Sequence, residues 1–129
     1  MTQHILIADD EPNIVISLEY LMQREGYAVS VARDGEEALA AILRDRPALV
    51  LLDAMMPKLS GFEVCQALRA NDAARATLIL MLTAKGRDTD VAKGLGSGAD
   101  AYMTKPFSTR ELVRKVREML EDGDRKSVV

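Results

Sequence analysis

The sequence predicts an α/β fold of the doubly wound kind: a five-stranded parallel sheet with helices on both faces, forming three layers. Three observations predict it. Short apolar, β-branched runs recur five times along the chain, segments with helical spacing separate them, and no linker, repeat or low-complexity block interrupts the alternation. Short continuous apolar runs are the mark of strands buried on both faces. Strands alternating with helices join through right-handed crossovers, which leave the strands parallel and the sheet covered on both sides.

The elements follow in order. Ile5–Ala8 is the first strand, and it runs into Asp9, Asp10, Glu11 and Pro12. A helix over 12–25 is marked by Pro12 just inside its start, Gly26 just past its end, and Ile14, Leu18 and Leu21 at i, i+4, i+7. Ala28–Ala32 is the second strand and 35–45 the second helix. Leu49–Leu52 leads to Asp53, and 60–70 is the third helix. Leu78–Leu82 leads to Thr83, and 87–97 is the fourth helix. This helical region carries Gly94, Gly96 and Gly98, each costing up to about 1 kcal/mol relative to Ala, so that helix is marginal. Ala101–Met103 is the weakest strand signal and precedes Lys105. The last helix, 108–121, has Leu112, Val116 and Met119 at apolar spacing. Residues 1–122 are expected to form the domain, and 123–129 a flexible C-terminal tail.

Composition narrows the functions. A chain of 129 residues is long enough to bury a core as one domain without disulfides or metal staples. With 48% hydrophobic and 29% charged residues it is ordinary for a globular protein. A net charge of −3 argues against nonspecific binding to nucleic acid or anionic membranes. No apolar run approaches the roughly 20 residues that span a bilayer, and the N-terminus lacks signal-peptide features. Cys65 is the only cysteine, so no internal disulfide is possible and a reducing, cytoplasmic setting is expected.

The unusual polar residues fall at one end of the predicted strands. Asp9 and Asp10 follow the first, Asp53 the third, Thr83 the fourth and Lys105 the fifth. Open parallel sheets bind ligands at the carboxyl ends of their strands, where the strand order reverses. Carboxylates gathered there repel, and a hard divalent cation relieves that repulsion. Mg²⁺ suits one or two carboxylates, retained waters and a phosphate oxygen. Lys105 and Thr83 offer a compact cation and a hydroxyl donor to phosphoryl oxygens. Asp53 is left as a nucleophile able to form an acyl phosphate.

At these residues the chain resembles the receiver domain of two-component response regulators, the CheY-like superfamily. "ILIADDEP", "LVLLDAMMPKLSG", "LILMLTAK" and "GADAYMTKPF" match its motifs in order, over residues 4 to 121. The resemblance implies a flavodoxin-like (βα)5 sandwich with strand order 2-1-3-4-5. It implies that Asp53 accepts a phosphoryl group from a sensor histidine kinase or histidine phosphotransfer protein, with no turnover of an external substrate. Asp10, Asp53 and the backbone carbonyl of Met55 would hold Mg²⁺, with Asp9 acting through water. Thr83 and Lys105 would contact the phosphoryl group, and Thr83 and Tyr102 would act as the switch. A cis peptide is implied between Lys105 and Pro106. Asn13, Ile14, Ser17 and Pro106 would form the docking surface for the phosphodonor, and the fourth helix, fifth strand and fifth helix the output surface. That surface also serves dimers built on charge pairs. Asp100 and Glu111 are kept, but Ala101 and Val91 stand where an acid and a base are common, so the expectation is a monomer or a weak phosphorylation-dependent dimer. Direct nucleic-acid binding and membrane contact are not expected; the downstream partner or output domain is not specified.

Each residue also has a plainer reading. Asp9, Asp10 and Glu11 could simply cap the first helix. Asp53 could be a turn residue, Thr83 a strand-end hydroxyl and Lys105 a solvated loop lysine, but all four plain readings must hold together at one rim. His4 is read as structural or exposed, Cys65 as packed, and Met55 and Met56 as shielding or core contacts, while plain packing is the alternative for Tyr102. Arg110, Arg114 and Arg117 form a stripe read as a solvated face. A haloacid-dehalogenase phosphatase would open on a D-x-D motif rather than Asp9-Asp10-Glu11. A flavin mononucleotide binder would need a Gly/Ser/Thr loop after the first strand, where an acidic loop repels phosphate.

Overall fold

The computed structural model describes residues 2–74, 76–84 and 98–128. Five strands, β1 (His4–Ala8), β2 (Ala28–Ala32), β3 (Leu49–Asp53), β4 (Leu78–Ala84) and β5 (Ala101–Lys105), form one parallel sheet in the order β2-β1-β3-β4-β5. Helices α1 (Pro12–Arg24), α2 (Gly35–Asp45) and α3 (Gly61–Arg69) connect them, and a C-terminal helix (Thr109–Val128) follows β5. The expected fold class and strand order are both present. The predicted helix over 87–97, with Gly94 and Gly96, lies outside the described residues. Among the described residues no helix is long and apolar enough to cross a membrane.

Alternation along each strand divides the core in two. Leu6, Val50, Leu52, Ile79 and Met81 face α2 and α3, meeting Ala38, Ile42, Val64, Cys65 and Leu68. Ile5, Ile7, Leu49, Leu51, Leu80 and Leu82 face the opposite side, against Val15, Leu18 and Met22 of α1 and Leu112 and Val116 of the C-terminal helix. All five residues of β3 are buried, as a central strand covered on both faces requires.

Local chemistry sets the helix ends. Asp34 accepts from the Glu37 N–H at 2.8 Å at the start of α2. Ser60 and Glu63 form a capping box on α3. Ser108 Oγ accepts from the Glu111 N–H at 3.0 Å in the first turn of the C-terminal helix. Pro12 opens α1, and Gly26 closes it with φ +93°, a conformation that favours glycine.

Three details depart from the sequence reading. The buried stripe of α1 is Val15, Leu18 and Met22, with Ile14 and Leu21 half-buried at its edges. The apolar face is wide enough that its centre sits one residue on from the spaced pattern. Strands β3, β4 and β5 continue through Asp53, Ala84 and Lys105, because the parallel ladder pairs Thr83 with Thr104 and Ala84 with Lys105. The last helix does not end near 121 but runs to Val128. In sequence, Glu121 precedes Arg125 and Asp122 precedes Lys126 by four residues, spacings that support a helix, and no proline intervenes.

Leu51 is fully buried between Ile7 and Leu80 on the α1 side of the sheet. Leu51→Ala is expected to lower unfolding stability by about 2–5 kcal/mol in a urea titration, because the central strand cannot collapse onto the cavity. A loss under about 1 kcal/mol would mean that this face is loosely packed.

Candidate functional site

The site is assembled by register. Ala8 pairs with Leu52 on neighbouring β1 and β3, so Asp9 and Asp53 emerge side by side. Asp53 in turn pairs with Leu82, placing Thr83 next along the rim, and Thr83 pairs with Thr104, immediately before Lys105. Four strands thus deliver their polar residues to one edge.

Asp9, Asp10 and Asp53 can each place a carboxylate oxygen within 4.8 Å of the others. Asp9 and Asp53 are buried and Asp10 is exposed. Lys105 Nζ donates to Asp9 Oδ2 at 3.0 Å and stands 3.5 Å from Asp53 Oδ1. Backbone donors hold the acids in place: Asp9 Oδ1 accepts from the Glu11 N–H at 2.9 Å, and Asp53 Oδ1 from the Met55 N–H at 3.2 Å. Glu11, the residue at the N-cap of α1, makes no side-chain capping bond, so capping does not account for the acidic run.

The charges act on one another. Burial raises the Asp53 carboxyl and the neighbouring Asp9 charge adds to it; Lys105 and the Met55 N–H pull back only part, leaving it at about 6 rather than 3.8. Burial alone would lower Lys105, but its hydrogen bond to Asp9 and the charges of Asp53, Asp9 and Glu11 hold it above the ordinary lysine value. One cation cannot neutralise three carboxylates. Three close oxygens, two of them on buried acids, are the donor set a hard divalent cation takes, so the residues fit Mg²⁺.

The remaining predicted residues take defined places. Thr83 is buried, and its Oγ1 donates to the Met103 carbonyl at a long 3.5 Å. The Lys105–Pro106 peptide is cis. Tyr102 is half-buried against the α2/α3 cluster. Met55 is exposed beside Asp53, while Met56 is buried. Asn13, Ser17 and Pro106 are exposed, and Ser17 Oγ donates to the Asn13 carbonyl at 3.0 Å. Ile14 packs at the margin of the α1-side core; the large apolar side chains that α1 exposes are Ile16 and Tyr20.

Two features were missed in the sequence. A Cβ on Gly61 would collide with the Asp53 carbonyl oxygen and come within 2.9 Å of Ala54 Cα, so this glycine lets α3 start directly against the strand that carries Asp53. Its place after Ser60, at a helix start, was the available signal. Arg69 donates to the Gly98 carbonyl, the Thr77 carbonyl and Asp100 Oδ2 at 2.8, 2.9 and 2.7 Å, fastening the chain where it enters β5. Asp100 Oδ2 also accepts from the Ile79 N–H at 2.8 Å. No local pattern announces that network.

Because folding raises the Asp53 pKa, protonated Asp53 favours the folded state; that contribution is complete below about 4 and lost as pH rises through about 6. In metal-free buffer, Asp53→Asn is expected to melt above the parent at about pH 7.5, with the gap closing as pH falls toward 4. A gap independent of pH in thermal melts would rule out the charge of Asp53 as its cause.

A family model described as the response regulator receiver domain matches residues 5–117. Over 124 residues the chain is 49% identical to the alkaline phosphatase synthesis transcriptional regulatory protein PhoP of Bacillus subtilis, covering 96% of this chain and 51% of that protein. It is 46% identical to the DNA-binding response regulator MtrA of Mycolicibacterium smegmatis, covering 96% and 53%. The chain therefore spans about half the length of the curated relatives it matches. Among solved structures, the receiver domain of sensor histidine kinase PA1611 from Pseudomonas aeruginosa PAO1 has a magnesium ion coordinated in its active-site cleft. It superposes with a TM-score of 0.87 at 30% identity, covering 94% of this chain and 99% of that one. The family match runs from the first strand into the last helix and takes in every residue of the rim; this chain belongs to the response regulator receiver domain family of two-component signalling.

Proposed function

We propose that Asp53 is the phosphoacceptor of this receiver, taking a phosphoryl group from a histidine kinase or histidine phosphotransfer protein in a Mg²⁺-dependent reaction. The observation that carries this reading is the three-carboxylate cluster with Lys105 beside Asp53. Asp10, Asp53 and the Met55 carbonyl would hold Mg²⁺, with Asp9 reaching it through water. When bound, the cation supplies charge neutralisation at the phosphoryl oxygens.

The chain's own residues do the rest. The Met55 N–H and Lys105 orient the Asp53 carboxylate. An O–P bond forms as the P–N bond to the donor imidazole breaks. Lys105 and the Thr83 hydroxyl then meet the phosphoryl oxygens. The domain assists its own phosphorylation and dephosphorylation and turns over no external substrate. Asn13, Ile14, Ser17 and Pro106 form the phosphodonor surface, and the setting is cytoplasmic. The sequence-based exclusion of nucleic acid gains no support from the relatives, several of which are named DNA-binding regulators.

The output is a rearrangement. The long Thr83–Met103 bond is weak, so the hydroxyl can move to a new phosphoryl acceptor at small cost. That movement frees space for Tyr102 to rotate and re-biases the surface of the fourth helix, fifth strand and fifth helix.

Intact-mass measurement with Mg²⁺ and a small phosphodonor is expected to show one added phosphoryl group, absent in Asp53→Asn. Uptake by that variant at the parent rate would refute the assignment. For the switch, hydrogen exchange with and without beryllofluoride is expected to change most over residues 83–105. Thr83→Ala is expected to be phosphorylated yet to lose most of that change; the full change in this variant would break the proposed coupling.

A further inference from the structure

A groove of about 370 Å³ lies between α1 and the C-terminal helix. Leu21 and Val113, both half-buried, give it an apolar floor. Arg24 stands on one wall, and Arg110, Arg114 and Arg117 on the other. Glu25 is the one carboxylate in its lining, and it accepts from Arg117 at 2.7 Å. Among the described residues, Arg24, Arg110 and Arg114 form no ion pair.

This is a local reversal in a chain of net charge −3. Arg24 has an internal reason for its position, since a cation in the last turn complements the dipole of α1. Arg110 has the opposite relation: it is the second residue of the C-terminal helix, where the dipole disfavours a cation. The dipole does not account for Arg110, and although Glu111 and Glu118 lie on the same helix, neither Arg110 nor Arg114 comes within ion-pair distance of a carboxylate among the described residues.

We propose that this groove docks an acidic segment of a partner protein, which seats an apolar side chain on Leu21 and Val113 and sets carboxylates against Arg110 and Arg114. Guanidinium groups pair carboxylates bidentately, and the apolar floor gives a peptide side chain somewhere to lie. Nucleic acid fits less well, because it offers no apolar side chain and would be repelled by the rest of an acidic surface. None of the lining residues belongs to the rim cluster, so this inference stands apart from the phosphoacceptor reading.

The test is fluorescence anisotropy with a labelled synthetic helical peptide carrying Glu at i and i+4 around a Leu. Saturable binding to the full chain is expected. Arg110→Glu with Arg114→Glu should weaken it by at least about tenfold, and the neutral pair Arg110→Gln with Arg114→Gln by less. Binding should vanish for a Lys-for-Glu peptide and be unchanged in Asp53→Asn. Circular dichroism would confirm that the variants fold. The proposal is overturned by no binding, by equal binding to the charge-reversed variant, or by equal competition from single-stranded DNA. A dimer in sedimentation velocity that the same variants disperse would also overturn it, since a second copy would then be the occupant.

Discussion

The ion pair between Asp9 and Lys105 is the constraint on which the rest of the site depends. Asp9 is fully buried, and a buried carboxylate is costly unless it is paired and hydrogen-bonded. Lys105 Nζ and the Glu11 N–H supply those partners. The same ammonium faces Asp53, so it lets two carboxylates share one rim while leaving Asp53 under-compensated. Removing either partner of such a pair typically costs about 3–5 kcal/mol because the other is stranded. The pair also ties the edge strand β5 to β1 near the middle of the sheet.

The fold earns this arrangement through its order of strands. β1 lies between β2 and β3, so the chain leaves β1 in one direction and returns on its other side. Helices therefore diverge to opposite faces at this edge, and the cleft between them opens above Asp9 and Asp53. Both faces of the sheet are filled by aliphatic side chains, which fixes the register: a slip of one residue would exchange the two cores. The hydrophobic packing is thus what holds the carboxylates within reach of one another. Gly61 adds a local requirement, since α3 can begin against Asp53 only without a side chain there.

Asp100 illustrates how the fold gives a residue a second role. The family resemblance makes it a candidate for charge pairs between copies. In the structure its carboxylate also accepts from Arg69 and from the Ile79 N–H, which anchors the entry to β5. The arginines of the last helix show the converse. A stripe that reads as a solvated face becomes one wall of a groove once Arg24 and Glu25 of α1 are brought alongside.

The sequence by itself determined the strands, the described helices and the carboxyl-end position of each acid, hydroxyl and lysine, because periodicity and helix-end chemistry act over a few neighbouring residues. Pro12, Gly26, the Leu112–Val116–Met119 spacing and the acids after β1 and β3 were legible for that reason. It placed the centre of the α1 stripe one residue early and ended the last helix short of Val128, since both depend on what the helix meets or on weak spacings that continue it. Only the tertiary structure decided that Lys105 spans 96 residues to hold Asp9, that Thr83 bonds to the Met103 carbonyl, and that Arg69 fastens Gly98 and Asp100. Such contacts follow from strand register and side-chain reach across the sheet, and no local pattern of residues encodes either one.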